Sequence, residues 1–113
     1  MPATITRLYT GADGKTHIED MDLASHSQLT QAMKAESIVF RSAAPGNFID
    51  WHPAPRRQFV ITISGQGEIG LEDGTTIVFG PGHVNLAEDL TGKGHTTRVI
   101  GDVPRVTATV PLT

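Results

Sequence analysis

The sequence contains no cysteine, which excludes a disulfide scaffold and any metal site built from thiolates. Basic residues are few: nine Lys and Arg stand against twelve Asp and Glu, and no basic block occurs, so nucleic-acid binding is not expected. No apolar run approaches the ~20 residues of a membrane-spanning helix. The N-terminal segment MPATITRLYT has neither the apolar core of a signal peptide nor the arginine-rich pattern of a transit peptide, so a cytoplasmic location is the default expectation.

Short runs of Thr, Val and Ile, separated by turn signals such as EDGT and FGPG, predict ten or so short strands. The predicted fold class is all-β, a small antiparallel β-barrel in one domain over residues 1–113. Residues 1–36 are predicted to hold N-terminal strands and a short linker helix, and residues 37–110 the barrel core. The helix is predicted over residues 25–36, with Ser27 as its N-cap and an apolar stripe formed by Leu29, Ala32 and Met33.

The segment GNFIDWHPAPRRQFVITISG, residues 46–65, contains the clearest strand of the chain. Side chains of a strand alternate between its two faces, so Gln58, Val60 and Thr62 share one face of residues 57–64. The other face is wholly apolar (Phe59, Ile61, Ile63) and is predicted to pack against another sheet or a second subunit. His52 precedes Gln58 by six positions, but two intervening prolines indicate an edge, bulge or loop there.

The spacing in this segment resembles the first motif of the cupin superfamily. Gly46, His52, Ala54, Gln58 and Gly65 stand where that family has Gly, His, His, Glu and Gly. Residues 82–87 and 92–95, which end in His95, resemble the second motif with a longer loop and without its proline and asparagine. The resemblance covers roughly residues 37–110 and is closest to small single-domain, RmlC-like jelly-roll cupins.

The resemblance implies a β-barrel that is often dimeric and that binds a metal in many members through three His and one Glu. Carried over by position, His52, Gln58 and His95 are the predicted metal ligands, and Ala54 replaces the second histidine. Imidazole suits Mn, Fe, Co, Ni and Zn alike, so the metal is not identified. Because Gln is neutral, this ligand set leaves the metal its full divalent charge and favours Lewis-acid chemistry.

Glu88 is a candidate catalytic acid/base or substitute carboxylate ligand, and Glu88 and Asp89 together are a candidate general acid/base pair, although a solvated loop at both residues is the simpler expectation. His17, His26 and His83 are expected at the surface or in turns. Glycines 92 and 94 flank Lys93 in a segment that either forms a plain turn or cradles an anion.

The predicted function is that of a metal-dependent enzyme with lyase- or isomerase-like chemistry on a small polar molecule. Two alternatives stay open: a metal-free barrel that binds a small ligand without catalysis, favoured by Ala54, and a metal-dependent dioxygenase. The predicted partners are a small-molecule ligand or substrate and a second copy of the chain in a homodimer, with no nucleic acid and no membrane.

Overall fold

The computed structural model describes residues 4–113, which form ten strands and one short 3-10 turn. The strands are β1 (Ile5–Thr10), β2 (Thr16–Asp20), β3 (Val39–Ala43), β4 (Phe48–His52), β5 (Gln58–Ser64), β6 (Gln66–Gly70), β7 (Thr76–Phe79), β8 (Val84–Glu88), β9 (His95–Ile100) and β10 (Arg105–Pro111). Within this described part of the chain, no helix has the length and apolar character needed to cross a bilayer.

The strands form two sheets, one with the order β2-β1-β8-β5-β10-β3 and one with the order β4-β9-β6-β7. All neighbours pair antiparallel except β1 and β8, which run parallel. The predicted all-β jelly-roll class is therefore confirmed, although the two sheets do not join into a closed barrel and one strand pair is parallel. Strands β1 and β2 extend the same sheet that contains β5 and β8.

The alternation predicted for β5 is present in the structure. Gln58 and Val60 line the space between the sheets, where Leu8, Ile69, Leu71 and Phe79 form a buried apolar cluster. Each of these four residues exposes 6% or less of its surface, so the cluster fixes the two sheets face to face.

The helix predicted over residues 25–36 is wrong. Only Ser27–Thr30 forms a 3-10 turn, His26 occupies the N-cap position, and no side chain caps the turn. Of the predicted apolar stripe, Leu29 and Met33 are only half-buried and Ala32 is exposed, so the segment has no surface against which a helix would pack. A short helix without tertiary packing is marginal in water, because the loss of backbone entropy in forming the first turn exceeds the stabilisation from its few hydrogen bonds.

His83 is also placed differently from the expectation, since it exposes only 6% of its surface. Its ring stacks on Phe79 at a centroid distance of 4.0 Å, and its Nε2 lies 2.8 Å from the Thr6 hydroxyl. His83 immediately precedes β8, which begins beside the buried end of β1, and this position carries the imidazole into the interior.

Candidate functional site

A cavity of about 130 Å³ lies between the two sheets. Its polar lining residues are His52, Gln58, Asn85, His95, Thr97 and Arg105. The rest of the lining is apolar and includes Ala54, Val60 and Phe79. A small, mostly apolar recess with a few convergent polar groups is typical of a small-molecule site.

His52 and His95 meet in this cavity because the end of β4 pairs with the start of β9. The two residues are direct partners in the antiparallel register, so their side chains point to the same face. Their ring centroids are 4.6 Å apart, with the planes tilted by 55°. Gly94 permits this approach, because it has φ +79° and a Cβ there would overlap the carbonyl oxygen of His52.

Each of the two imidazoles is anchored through Nδ1. The His52 Nδ1 lies 2.8 Å from the backbone carbonyl oxygen of Asp50, and the His95 Nδ1 lies 2.6 Å from Oδ2 of Asp89. A carbonyl oxygen only accepts, and a carboxylate normally does too, so Nδ1 is the protonated nitrogen in both rings. In a neutral ring this leaves the lone pair of Nε2 for a ligand, as in histidines that bind a metal through Nε2.

Asp89 is fully buried, with 0% of its surface exposed. Its Oδ2 accepts hydrogen bonds from His95 and, at 2.9 Å, from the hydroxyl of Thr16 at the start of β2. Its Oδ1 has no hydrogen-bond partner among residues 4–113. The expectation of a solvated loop is therefore wrong for Asp89. From its position after β8, its buried carboxylate is hydrogen-bonded to both β2 and β9.

Gln58 lies on the inward face of β5, opposite Ala87 of β8, and its side chain lines the same cavity as the two histidines. Its amide makes no hydrogen bond within the described part of the chain. Ala54 also lines the cavity but supplies no donor atom. The structure thus brings the three predicted ligands to one cavity. No group of three or more His, Cys, Asp or Glu side chains in residues 4–113 is arranged to hold a metal ion.

No protein-family model and no curated protein matches the sequence, whereas several solved structures do. A Klebsiella pneumoniae protein described as an uncharacterized conserved protein with a double-stranded β-helix domain is 25% identical with a TM-score of 0.54, over 66% of this chain and 61% of that one. A cupin 2 conserved barrel domain protein from Leptotrichia buccalis is 14% identical with a TM-score of 0.50, over 85% of this chain and 48% of that one. The epimerase RmlC from Legionella pneumophila, solved with dTDP-4-keto-L-rhamnose, is 10% identical with a TM-score of 0.50, over 94% and 63%.

The chain has an RmlC-like cupin fold. The matched region spans less than two thirds of each of these three proteins. At these identities the likeness fixes the architecture, and the chemistry has to be argued from the side chains in the cavity.

Glu88 lies outside the cavity of this cupin fold. It follows Ala87 on β8 and therefore points to the opposite face, where Arg7 and Arg57 both donate hydrogen bonds to it. Burial alone would raise the pKa of the Glu88 carboxyl, but the hydrogen bonds and charges of the two arginines together hold it below the ordinary value. A carboxylate held between two guanidinium groups is a poor proton carrier, and the Glu88 side chain does not line the cavity, so its position does not support a catalytic role.

The burial of two polar residues, Asp89 and Arg105, was not predicted from the sequence. Asp89 carried no signal of burial beyond its position six residues before His95. Arg105 did carry one: in β10, Arg105, Thr107 and Thr109 alternate with Val106, Ala108 and Val110, and the polar set is the more buried one. A polar row on the inner face of a strand is expected where a cavity must hold a polar ligand.

Proposed function

We propose that this cupin-fold chain holds a divalent transition metal (Mn, Fe, Co, Ni or Zn) through His52, Gln58 and His95 and acts on a small polar molecule. The observation that supports this most directly is the pair of adjacent imidazoles, each with Nδ1 anchored and Nε2 left without a partner in residues 4–113. Anchored rings lose little further freedom on binding a metal, which favours affinity.

The donor set fits a divalent metal with two nitrogen ligands and one amide oxygen, which leaves further positions for water or a chelating substrate. When bound, such a metal would supply Lewis-acid polarisation of a substrate oxygen, because no anionic ligand offsets its charge. The proposed reaction class is therefore lyase- or isomerase-like, with a dioxygenase as the alternative within metal-dependent chemistry.

The remaining residues of the site hold and shield these ligands. Asp89 keeps the His95 ring in one orientation, and its own position is fixed by Thr16. Val60, Ile69 and Phe79 provide apolar walls that exclude bulk water from the bound molecule. The proposed ligands thus come from β5, the end of β4 and the start of β9, and the loop after β8 supports them through Asp89.

Elemental analysis tests metal binding directly. Purified protein, soaked in turn with each of the five metals and desalted, is expected to retain roughly one equivalent of at least one of them. The double variant His52→Ala/His95→Ala is expected to retain less than about a tenth of an equivalent. His17→Ala/His26→Ala is the matched control, since it removes two histidines that do not line the cavity. Wild-type protein below a tenth of an equivalent with every metal would end the proposal.

A metal-free barrel that binds a small ligand without catalysis is the second candidate. It is favoured by Ala54, which stands where the family resemblance places a histidine, and by the finding that no group of three or more His, Cys, Asp or Glu side chains in residues 4–113 is arranged to hold a metal ion. Ligand binding that survives in metal-free protein and in the double histidine variant would support this candidate over the first.

We also propose that the chain forms a homodimer. Strands β3 and β4 end the two sheets and expose large apolar side chains, among them Phe40 at 65%, Phe48 at 44% and Ile49 at 47%. Exposed apolar patches of this kind favour association, and a second copy would also cover the unpaired edge of β3.

A further inference from the structure

Arg105 is a buried cation in the wall of the cavity. It starts β10, exposes 9% of its surface, and faces the same space as His52 and His95. Among the described residues that line the cavity, it is the only one with a permanent charge. Arginine is rarely buried to this extent unless an anion accompanies it.

No anion in the described part of the chain accompanies Arg105. Its one hydrogen bond runs from Nη2 to the hydroxyl of Thr62 at 3.0 Å, and its Nε has no partner. Burial lowers the pKa of the guanidinium below the ordinary value, and no neighbouring carboxylate among residues 4–113 acts in the other direction. The group nevertheless remains charged, because the ordinary pKa of arginine lies far above neutrality. An isolated charge in this position opposes folding, so a compensating ligand is expected.

The fold makes room for this guanidinium. Gly67 of β6 lies beneath it, and a Cβ at that position would come 2.7 Å from both Cζ and Nε of Arg105. Gly67 has no positive φ, so the backbone there does not require glycine. The missing side chain at Gly67 leaves room for the guanidinium, which lies against β6. Apart from the bond to Thr62, the guanidinium N–H groups of Arg105 make no hydrogen bond within residues 4–113.

We propose that Arg105 binds the carboxylate of a small organic acid in the cavity, with the far end of that molecule beside His52 and His95. Planar guanidinium and carboxylate groups pair through two parallel hydrogen bonds, which supplies the missing anion and fixes the orientation of the ligand. The volume of about 130 Å³ is close to the ~150 Å³ that accommodates benzene, so the enclosed part of the ligand has about six non-hydrogen atoms. This proposal shares its cavity with the proposed metal site and rests on the proposed function in that respect alone. Metal binding and carboxylate binding are measured separately, so an experiment can refute either one and leave the other standing.

Malonate and its neutral analogue malonamide provide a matched pair of probes of about this size, and inorganic phosphate provides a non-planar anion. Binding is measured by titration calorimetry on protein as purified and on protein freed of metal by a chelator and desalted, with metal content determined on every sample. We expect malonate to bind both preparations, malonamide to bind at least about tenfold more weakly, and Arg105→Met to lose at least about tenfold in malonate affinity at unchanged metal content. Arg56→Met is the control, since Arg56 is exposed and pairs with Glu36 outside the cavity.

The thermal midpoint of Arg105→Met separates ligand recognition from a structural role. Loss of an unpaired buried charge is expected to leave the midpoint unchanged or raised, whereas a structural arginine would lower it. In wild-type protein, the Nε–H resonance of Arg105 is expected to shift with malonate and not with malonamide, a measurement that does not depend on any variant folding. Unchanged malonate affinity in Arg105→Met, an Nε–H resonance that ignores malonate, or tighter binding of phosphate than of malonate would each overturn the assignment of a carboxylate to Arg105.

Discussion

Asp89→Asn is the substitution that most directly probes how the site is built. Asparagine keeps the shape of the side chain and leaves an oxygen to accept from Thr16 and His95, but it removes the negative charge behind the His95 ring. That charge is fully buried and 2.6 Å from Nδ1, so water does not screen it. Loss of such a partner of a metal-binding histidine weakens metal binding by about 10- to 100-fold, or about 1.4–2.7 kcal/mol, and we expect the upper half of this range.

Metal affinity is measured by competition with a chelator of known affinity, using whichever metal the elemental analysis identifies. Glu88→Gln is the matched control, because it makes the same chemical change at the neighbouring residue, whose side chain lies on the opposite face. Thr16→Val removes one hydrogen bond to Asp89 without altering its charge, so it should weaken metal binding less than Asp89→Asn does.

Two results would refute this account of Asp89. One is a folded Asp89→Asn protein, by circular dichroism and thermal melting, whose metal affinity stays within about threefold of wild type. The other is an equal loss in Asp89→Asn and Glu88→Gln, which would show a general effect of net charge and no specific role for the buried carboxylate.

Three further predictions concern the framework around the site. Because the pKa of Glu88 is held below its ordinary value of 4.5, its ion pairs stabilise the fold above that pH, and the stabilisation is lost as the pH falls through the lowered pKa. The wild-type melting temperature should exceed that of Glu88→Gln at about pH 7 and the difference should shrink as the pH falls below 4.5, whereas a difference that grows on acidification would contradict this. Gly94→Ala should destabilise the fold in urea by about 1–3 kcal/mol more than Gly14→Ala, since both glycines have nearly the same positive φ but only Gly94 lies against another backbone segment, that of His52; equal losses would show that the close approach is unimportant. Phe40→Glu should convert a homodimer to monomers in analytical ultracentrifugation, and a wild-type chain that is monomeric at every concentration would remove the dimer.

Local sequence signals predicted the strands and the faces of β5 well. Strand alternation and turn residues act over a few positions, so Gln58 and Val60, which line the cavity, could be assigned to one face of the strand before any tertiary contact was known. The Asp-Gly turn before β7 is of the same kind: Gly74 has φ +89°, and its N–H reaches the carbonyl of Leu71. The residues 25–36 show the converse, because helical spacing without a surface to pack on did not produce a helix.

Burial of single polar residues could not be predicted in the same way, because it depends on segments far apart in the chain. His83 and Asp89 are both buried. In the interior His83 is hydrogen-bonded to Thr6 and Asp89 to Thr16, and each partner lies more than seventy positions away in the chain. No window of sequence around His83 or Asp89 contains those partners. A loop rich in acidic residues is ordinarily exposed, so the general expectation failed at Asp89, whose carboxylate is buried against the distant Thr16.

The inward position of Arg105 could have been predicted from the alternation of β10 together with that of its neighbour β5. A strand that alternates Arg, Thr and Thr with Val, Ala and Val would normally bury its apolar row, yet here the polar row is the more buried one and Arg105 lies in the cavity wall. The apolar row of β10 continues that of its neighbour β5, since Val110 pairs with Phe59 and Ala108 with Ile61. Two adjacent strands with the same apolar face and the same polar face determine which side of the sheet holds polar groups. In this structure that side of the sheet faces the cavity, which puts Arg105 where the proposed carboxylate would bind.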